Sequence, residues 1–226
     1  MYFLWELASW PPASIPGTNI ALTISMEQLS FFDDNEGLRF PENLLEFTPG
    51  FIPGKEAIAL LDHLISSTPW KQYEVEMYGK KVLPPRLTAW FGDPNSAYKL
   101  SGKSFDPHPW TNELLDLKLR VEAFSHEHFN SVLLNYYRDG NDSVAWHADN
   151  EKELGPRPLI ASVSLGQARK FDFRYKEDHK RKYSLTLTNG SLLIMKGDLQ
   201  HHWEHRIAKS TTPMRERINL TFRIVN

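Results

Sequence analysis

Arg217-Ile218-Asn219-Leu220-Thr221-Phe222-Arg223 alternates polar and apolar side chains, the pattern of a strand whose two faces meet different surroundings. Ile218, Leu220 and Phe222, continued by Ile224, form a row for a core. Arg217, Asn219, Thr221 and Arg223 form the other, and a polar row ending in two arginines is costly to bury without an anionic partner. Seven further β-rich runs precede this one, at 131–136, 143–147, 159–165, 170–175, 183–187, 191–195 and 203–207, with the quoted strand extending over 217–225. Turn signals such as Asp139-Gly140-Asn141 and Asn189-Gly190 separate them. Eight such strands predict a mainly β (α+β) domain of double-stranded β-helix, or jelly-roll, type.

Two helices support it in this reading. From Lys55 to Ser66 the residues Ile58, Leu61, Leu64 and Ile65 follow helical spacing until Pro69 stops the run. From Trp110 to Ser125 the residues Leu114, Leu117, Val121 and Phe124 give a second buried stripe. Between the helices, residues 71–106 alternate short extended pieces with Pro84-Pro85, Gly92-Asp93-Pro94 and Ser101-Gly102, which suggests hairpins or a lid over the site. The expected organisation is an arm at 1–45 and one domain at 46–226.

With 226 residues, of which 41% are hydrophobic and 24% charged, the chain suits a single core. It has no cysteine, which excludes disulfides, thiolate zinc sites, iron-sulfur clusters and cysteine nucleophiles, so any metal must use His, Asp or Glu. The net charge of -2 gives no bulk attraction to nucleic acid, so such a partner would need a local basic surface. The apolar start, Met1 to Trp10, carries Glu6 and no basic residue before Pro11 and Pro12. It reads as neither signal peptide nor membrane span, and a monomeric cytoplasmic protein is expected.

Within the arm, Gln28-Leu29-Ser30-Phe31-Phe32 looks like the pentapeptide by which bacterial repair and replication proteins dock on the sliding clamp, two aromatics suiting a shallow apolar pocket. The bland alternative is that Phe31 and Phe32 pack on the protein's own core. Met26 is a candidate for the biological start.

Trp146-His147-Ala148-Asp149 places an imidazole and a carboxylate two apart, and because strand side chains alternate, both are expected on the same face. Of His201, His202 and His205, the last shares a face with Trp203 and Ile207 and is the chosen third ligand. His201 and His202 read as surface groups, and the pair His126 and His128 as solvated. Two His and one carboxylate leave positions of an octahedral Fe(II) open for a bidentate 2-oxo acid and O2. Arginine's planar fork matches carboxylates, and 2-oxoglutarate has two, so Arg217 and Arg223 are candidates for it, with Asn219 and Thr221 beside them. Asn135 and Tyr137 share a face and offer an amide and a phenol. An outward salt-bridge ladder is the alternative for the arginines. The basic run 169–182 gives Arg174 and Lys176 as candidate phosphate contacts, or else an ordinary charged turn.

WHADNE, PLIASVSLG, NGSLLIMKGDLQHHWEHRI and the ending RINLTFR together resemble the AlkB family of Fe(II)- and 2-oxoglutarate-dependent nucleic-acid dealkylating dioxygenases, over about Pro84 to Asn226. The resemblance implies His147, Asp149 and His205 as iron ligands, and Asn135, Tyr137, Arg217, Asn219, Thr221 and Arg223 as 2-oxoglutarate residues. Arg217 would hold the distal carboxylate, with Arg223 nearer the iron and Asp149. The family's base-recognition acid falls at Glu151. Leu100 stands where relatives usually carry an aromatic that stacks on the flipped base; it can still supply an apolar lid, with Tyr98 or Trp90 as the substitute stacking face. The implied reaction is oxidative removal of alkyl groups from alkylated DNA, with 1-methyladenine and 3-methylcytosine as expected lesions. The rivals are an oxygenase acting on RNA, protein or a small molecule, a noncatalytic jelly-roll binding module, and a clamp-tethered adaptor.

Overall fold

The computed structural model describes residues 44–226 apart from 78, 79, 95, 97, 101 and 102. The pentapeptide Gln28 to Phe32 and the candidate start at Met26 lie outside the described residues.

Six strands form the larger sheet: β1 (Leu45–Thr48), β4 (Leu87–Gly92), β7 (Ser131–Tyr137), β9 (Ile160–Gly166), β12 (Ser191–Met195) and β14 (Arg217–Arg223). Their order across it is β1-β12-β9-β14-β7-β4, antiparallel throughout. The smaller sheet runs β11-β10-β13-β8, from β8 (Val144–His147), β10 (Arg169–Tyr175), β11 (Lys182–Leu187) and β13 (Trp203–Ile207). All eight expected strands are present, and their assignment to two sheets is that of a jelly roll.

Two helices, α1 (Gly54–Ser67) and α2 (Asn112–Ser125), share the main core with the larger sheet. Thr111 caps α2 by accepting from the Leu114 N–H, and His126 ends it in the left-handed region at φ 58°. Alternation decides which side chains enter this core. Val132 and Leu134 of β7, Val163 and Leu165 of β9, and Ile218, Leu220 and Phe222 of β14 are fully buried. Against them pack Leu61 and Leu64 of α1 with Leu114, Leu117 and Val121 of α2. Each such side chain contributes on the order of 2 kcal/mol by leaving water. No helix among the described residues is long and apolar enough to cross a membrane.

Three local expectations need correction. Ile58 is 53% exposed because Ala57, a residue earlier, takes the inward position at the start of the stripe. Phe124 is 36% exposed, its ring edge-on to Phe51, while Glu122 turns inward to accept from the Phe129 N–H at 2.8 Å. The expected hairpins are present in 71–106, but the stretch is not hairpin or lid throughout. Its middle, β4, pairs in register with β7 inside the larger sheet. Around it lie two separate hairpins, β2 (Val75–Met77) with β3 (Lys80–Val82), and β5 (Tyr98–Leu100) with β6 (Lys103–Phe105). β4 escaped the sequence reading because both its faces are covered, so LTAWFG shows no polar alternation.

Candidate metal and co-substrate site

The second face of the larger sheet meets the smaller sheet around a cavity of about 100 Å³. The polar row of β14 lines it: Arg217, Asn219, Thr221 and Arg223 all border this space, as do Asn135 and Tyr137 of β7. Register explains the meeting, since Arg217 lies opposite Tyr137 and Asn219 opposite Asn135.

His147 and His205 are Cα partners across β8 and β13, their rings 4.3 Å apart. The His147 Nδ1 is 2.9 Å from the Ala145 carbonyl, and its Nε2 is 3.7 Å from Asp149 Oδ1. The ligand atoms of His147, Asp149 and His205 all lie within 4.8 Å of one another, the one such group among the described residues. A β-bulge supports this arrangement. His147 pairs with His205 but Val144 with Ile207, so Ala145 and Trp146 together oppose Arg206. Trp146 is held between the guanidiniums of Arg174 and Arg206, at 4.5 and 4.4 Å.

Asp149 reaches the histidines by a route that alternation did not foresee. β8 ends at His147, so Asp149 lies past the strand. Its backbone N–H donates to Gln200 Oε1 at 2.9 Å, and its carboxylate meets Arg223 Nη2 at 3.0 Å. Burial alone would raise its pKa, but the Arg223 guanidinium outweighs that and holds it below the ordinary carboxylate value. Burial first, and His147 next, push His205 down to about 3, so its imidazole is neutral, the form that ligates a metal.

Arg217 is 1% exposed and has no carboxylate partner in the described structure. Its Nη2 donates to Ser164 Oγ at 3.0 Å and its guanidinium lies over the Tyr137 ring, yet Nε and Nη1 have no hydrogen-bond partner. Burial, with Arg169 as a nearby like charge, lowers its pKa to about 10. A buried cation with two unused donors beside a cavity fits an arriving carboxylate. Two imidazoles and a carboxylate likewise fit Fe(II), with coordination positions left for other ligands. Asn219 donates to Ser162 Oγ at 2.7 Å and accepts from Thr221 Oγ1 at 3.0 Å, which fixes the rest of the polar row.

The substrate candidates divide. Glu151 borders the cavity, at the start of the 3-10 turn Lys152–Leu154. Trp90 is not a stacking face: it is 6% exposed, packs with Leu133, Leu154 and Val225, and donates its indole N–H to the Ser96 carbonyl. Tyr98 and Leu100 fall on β5, and their side chains lie outside the described residues. Arg174 and Lys176 are engaged within the fold instead of being free for phosphate. Arg174 pairs with Glu204 at 2.6 Å, and the Lys176 ammonium donates to the Gln200 carbonyl at 2.8 Å. Arg169, counted in the same basic run, is buried, donating to the carbonyls of Asp139, Asp142 and Ala208.

Sequence reasoning missed Arg86 and Gln200. Arg86 borders the cavity and donates from Nε to Asn135 Oδ1 at 2.7 Å, which turns the Asn135 amide nitrogen away from it. Neither residue stands in a periodic pattern, and only contacts across many residues give them away.

Comparison with known proteins agrees with this geometry. Residues 45–223 match the family described as the 2OG-Fe(II) oxygenase superfamily. The chain is 40% identical over 186 residues to the alpha-ketoglutarate-dependent dioxygenase alkB homolog 3 of Mus musculus, covering 78% of this chain and 64% of that protein. It is 36% identical over 203 residues to the DNA oxidative demethylase ALKBH2 of Arabidopsis thaliana, covering 77% of this chain and 64% of that one. The chain thus spans about 64% of the length of these curated relatives. In fold it is similar to the solved structure of OsALKBH1, with a TM-score of 0.56 at 18% identity, covering 82% of this chain and 100% of that one. Iron(II), 2-oxoglutarate and O2 are the cofactor and co-substrates that the matched superfamily implies. The chain belongs to the 2OG-Fe(II) oxygenase superfamily and, within it, to the AlkB family.

Proposed function

We propose that this chain removes alkyl groups oxidatively from nucleic-acid bases, DNA first among them, with His147, Asp149 and His205 holding Fe(II) and Arg217 gripping 2-oxoglutarate. The observation that carries the reading is one cavity bordered by both the three ligating side chains and a buried arginine whose Nε and Nη1 have no partner. The relatives named for DNA oxidative demethylation support the substrate class. Bound iron and 2-oxoglutarate supply the oxidising chemistry: O2 places one oxygen in succinate, with loss of CO2, and one on the N-alkyl carbon, which leaves as an aldehyde.

The chain's own residues do the positioning. Arg217 holds the distal carboxylate, with Ser164 and Tyr137 fixing the guanidinium. Arg223 keeps Asp149 charged and in place. Glu151 would accept from the exocyclic amino group of a flipped base, and 1-methyladenine and 3-methylcytosine fit because their positive charge suits a nearby carboxylate. The hairpins either side of β4 are proposed as the lid, with Arg86 where the first of them returns to the cavity. Docking to a sliding clamp through Gln28 to Phe32, and monomeric action in the cytoplasm, belong to the same proposal.

The test is reconstitution with Fe(II), 2-oxoglutarate and air on methylated oligonucleotides, scoring formaldehyde against succinate. Equal amounts of the two with methylated DNA are expected. Succinate without formaldehyde from DNA, but with it from RNA, would move the substrate to RNA. No formaldehyde from either would refute the dealkylation reading.

A further inference from the structure

Asp149 lies beyond the end of β8, so the strand ladder that sets His147 against His205 does not place it. Its carboxylate has a partner in Arg223, but a side-chain contact alone leaves the main chain free to swing. Among the described residues, one hydrogen bond holds its main chain. Gln200, 1% exposed and distant in sequence, accepts from the Asp149 N–H at 2.9 Å. A buried backbone N–H must find an acceptor, and among the described residues Gln200 supplies it.

Gln200 is itself restrained. It belongs to α3 (Leu199–His202), the short helix that runs directly into β13 and so to His205. The Lys176 ammonium donates to its carbonyl at 2.8 Å, which ties α3 to the end of β10. Its amide nitrogen faces the Met195 sulfur at 3.7 Å, a weak acceptor. That contact leaves the amide oxygen as the end turned to Asp149. One side chain therefore links the segment carrying Asp149 to the segment carrying His205.

We infer that Gln200 is a positioning residue for metal binding, its amide oxygen holding Asp149 at the place where it can share an ion with His147 and His205. The inference rests on the reading of those three residues as a metal site. Its physical content is preorganisation: without the tether, Asp149 must be ordered when the ion binds, and outer partners of metal ligands are typically worth about 10- to 100-fold in affinity.

The experiment uses the full chain freed of metal and Mn(II) as a redox-inert probe, titrated by electron paramagnetic resonance of the free ion. Gln200→Met, close in size but with only a weakly accepting sulfur in place of the amide oxygen, should bind Mn(II) about tenfold or more weakly than the unsubstituted chain. Gln200→Glu keeps a carboxyl oxygen that accepts from the Asp149 N–H in either protonation state, and should bind no more than a few-fold more weakly than the unsubstituted chain. Melting curves of both variants establish that they are folded. Folded Gln200→Met with undiminished affinity would overturn the inference, as would folded Gln200→Glu weakened as much as Gln200→Met. Should Gln200→Met fail to fold, Gln200→Leu takes its place as the acceptor-free variant, a loss of about tenfold supporting the inference and undiminished affinity overturning it. Absence of Mn(II) binding by the unsubstituted chain would overturn the metal reading itself, a result distinct from all of these.

Discussion

Arg217 lies opposite Tyr137 in the β14–β7 register, its guanidinium carbon 5.0 Å from the centre of the phenol ring. A second guanidinium, that of Arg169, is 5.8 Å from the same ring, and Arg169 is fully engaged with main-chain carbonyls. The fold thus keeps Arg217 charged, buried and supplied with aromatic contact but short of an anion. Its Arg223 counterpart, by contrast, has Asp149 at 3.0 Å.

From that difference, Arg217→Met should abolish the rise in melting temperature that 2-oxoglutarate produces. The affinity loss should be at least thirtyfold, about 2 kcal/mol or more, as for removing one partner of a buried charge pair. Without ligand the variant should melt no lower than the unsubstituted chain, because an incompletely partnered buried cation has been replaced by an apolar side chain. Calorimetric titration and thermal melts read the two effects. A variant that still binds 2-oxoglutarate tightly would show that the dicarboxylate sits elsewhere.

Trp90 should matter to stability and not to base recognition. Trp90→Phe loses the bond to the Ser96 carbonyl and should cost about 1 kcal/mol in urea melts. The KM for a methylated oligonucleotide should stay where it was. A raised KM with unchanged stability would restore Trp90 to the substrate face.

Glu122 gives the fold a pH dependence of determined sign. Burial would raise its pKa, but the Phe129 N–H and the Lys118 ammonium at 3.0 Å outweigh it, leaving the value lowered. A lowered folded value stabilises fully above the unfolded pKa and is lost as pH falls through the folded one. Glu122→Gln should therefore be less stable by about 1–2 kcal/mol at neutral pH. The gap should close as the pH falls below the ordinary carboxylate range, where the native carboxylate also takes up its proton. Denaturant melts across that range check it; a gap independent of pH would mean that the charge plays no part.

Gly190 turns the chain from β11 into β12 at φ 73°, and a Cβ there would stand 2.2 Å from the Ile52 carbonyl oxygen. Gly190→Ala combines left-handed strain with a backbone clash and should destabilise by about 2 kcal/mol or more. A melting temperature within error of the parent would contradict this geometry.

Much of the molecule was legible where one side chain in two faces a different medium. The β14 heptad announced both its core row and its cavity row, and Trp203, His205 and Ile207 are indeed buried together on β13. Pattern reading failed where neighbours far along the chain decide. β4 looked like lid because both its faces are covered. β1 lay at the edge of the supposed arm, yet pairs with β12. Asp149 shares a site with His147 through Gln200 and Arg223, not through strand alternation. Arg174 and Lys176 read as a basic surface because Glu204 and the Gln200 carbonyl, their partners, are distant in sequence.

The most direct measurement is diffraction from crystals grown without oxygen in Fe(II) and 2-oxoglutarate, with anomalous scattering to locate the metal. Expected is one iron within bonding distance of His147, Asp149 and His205, with a carboxylate of 2-oxoglutarate against Arg217. An iron elsewhere, or a dicarboxylate that leaves Arg217 without a partner, would contradict the site as described.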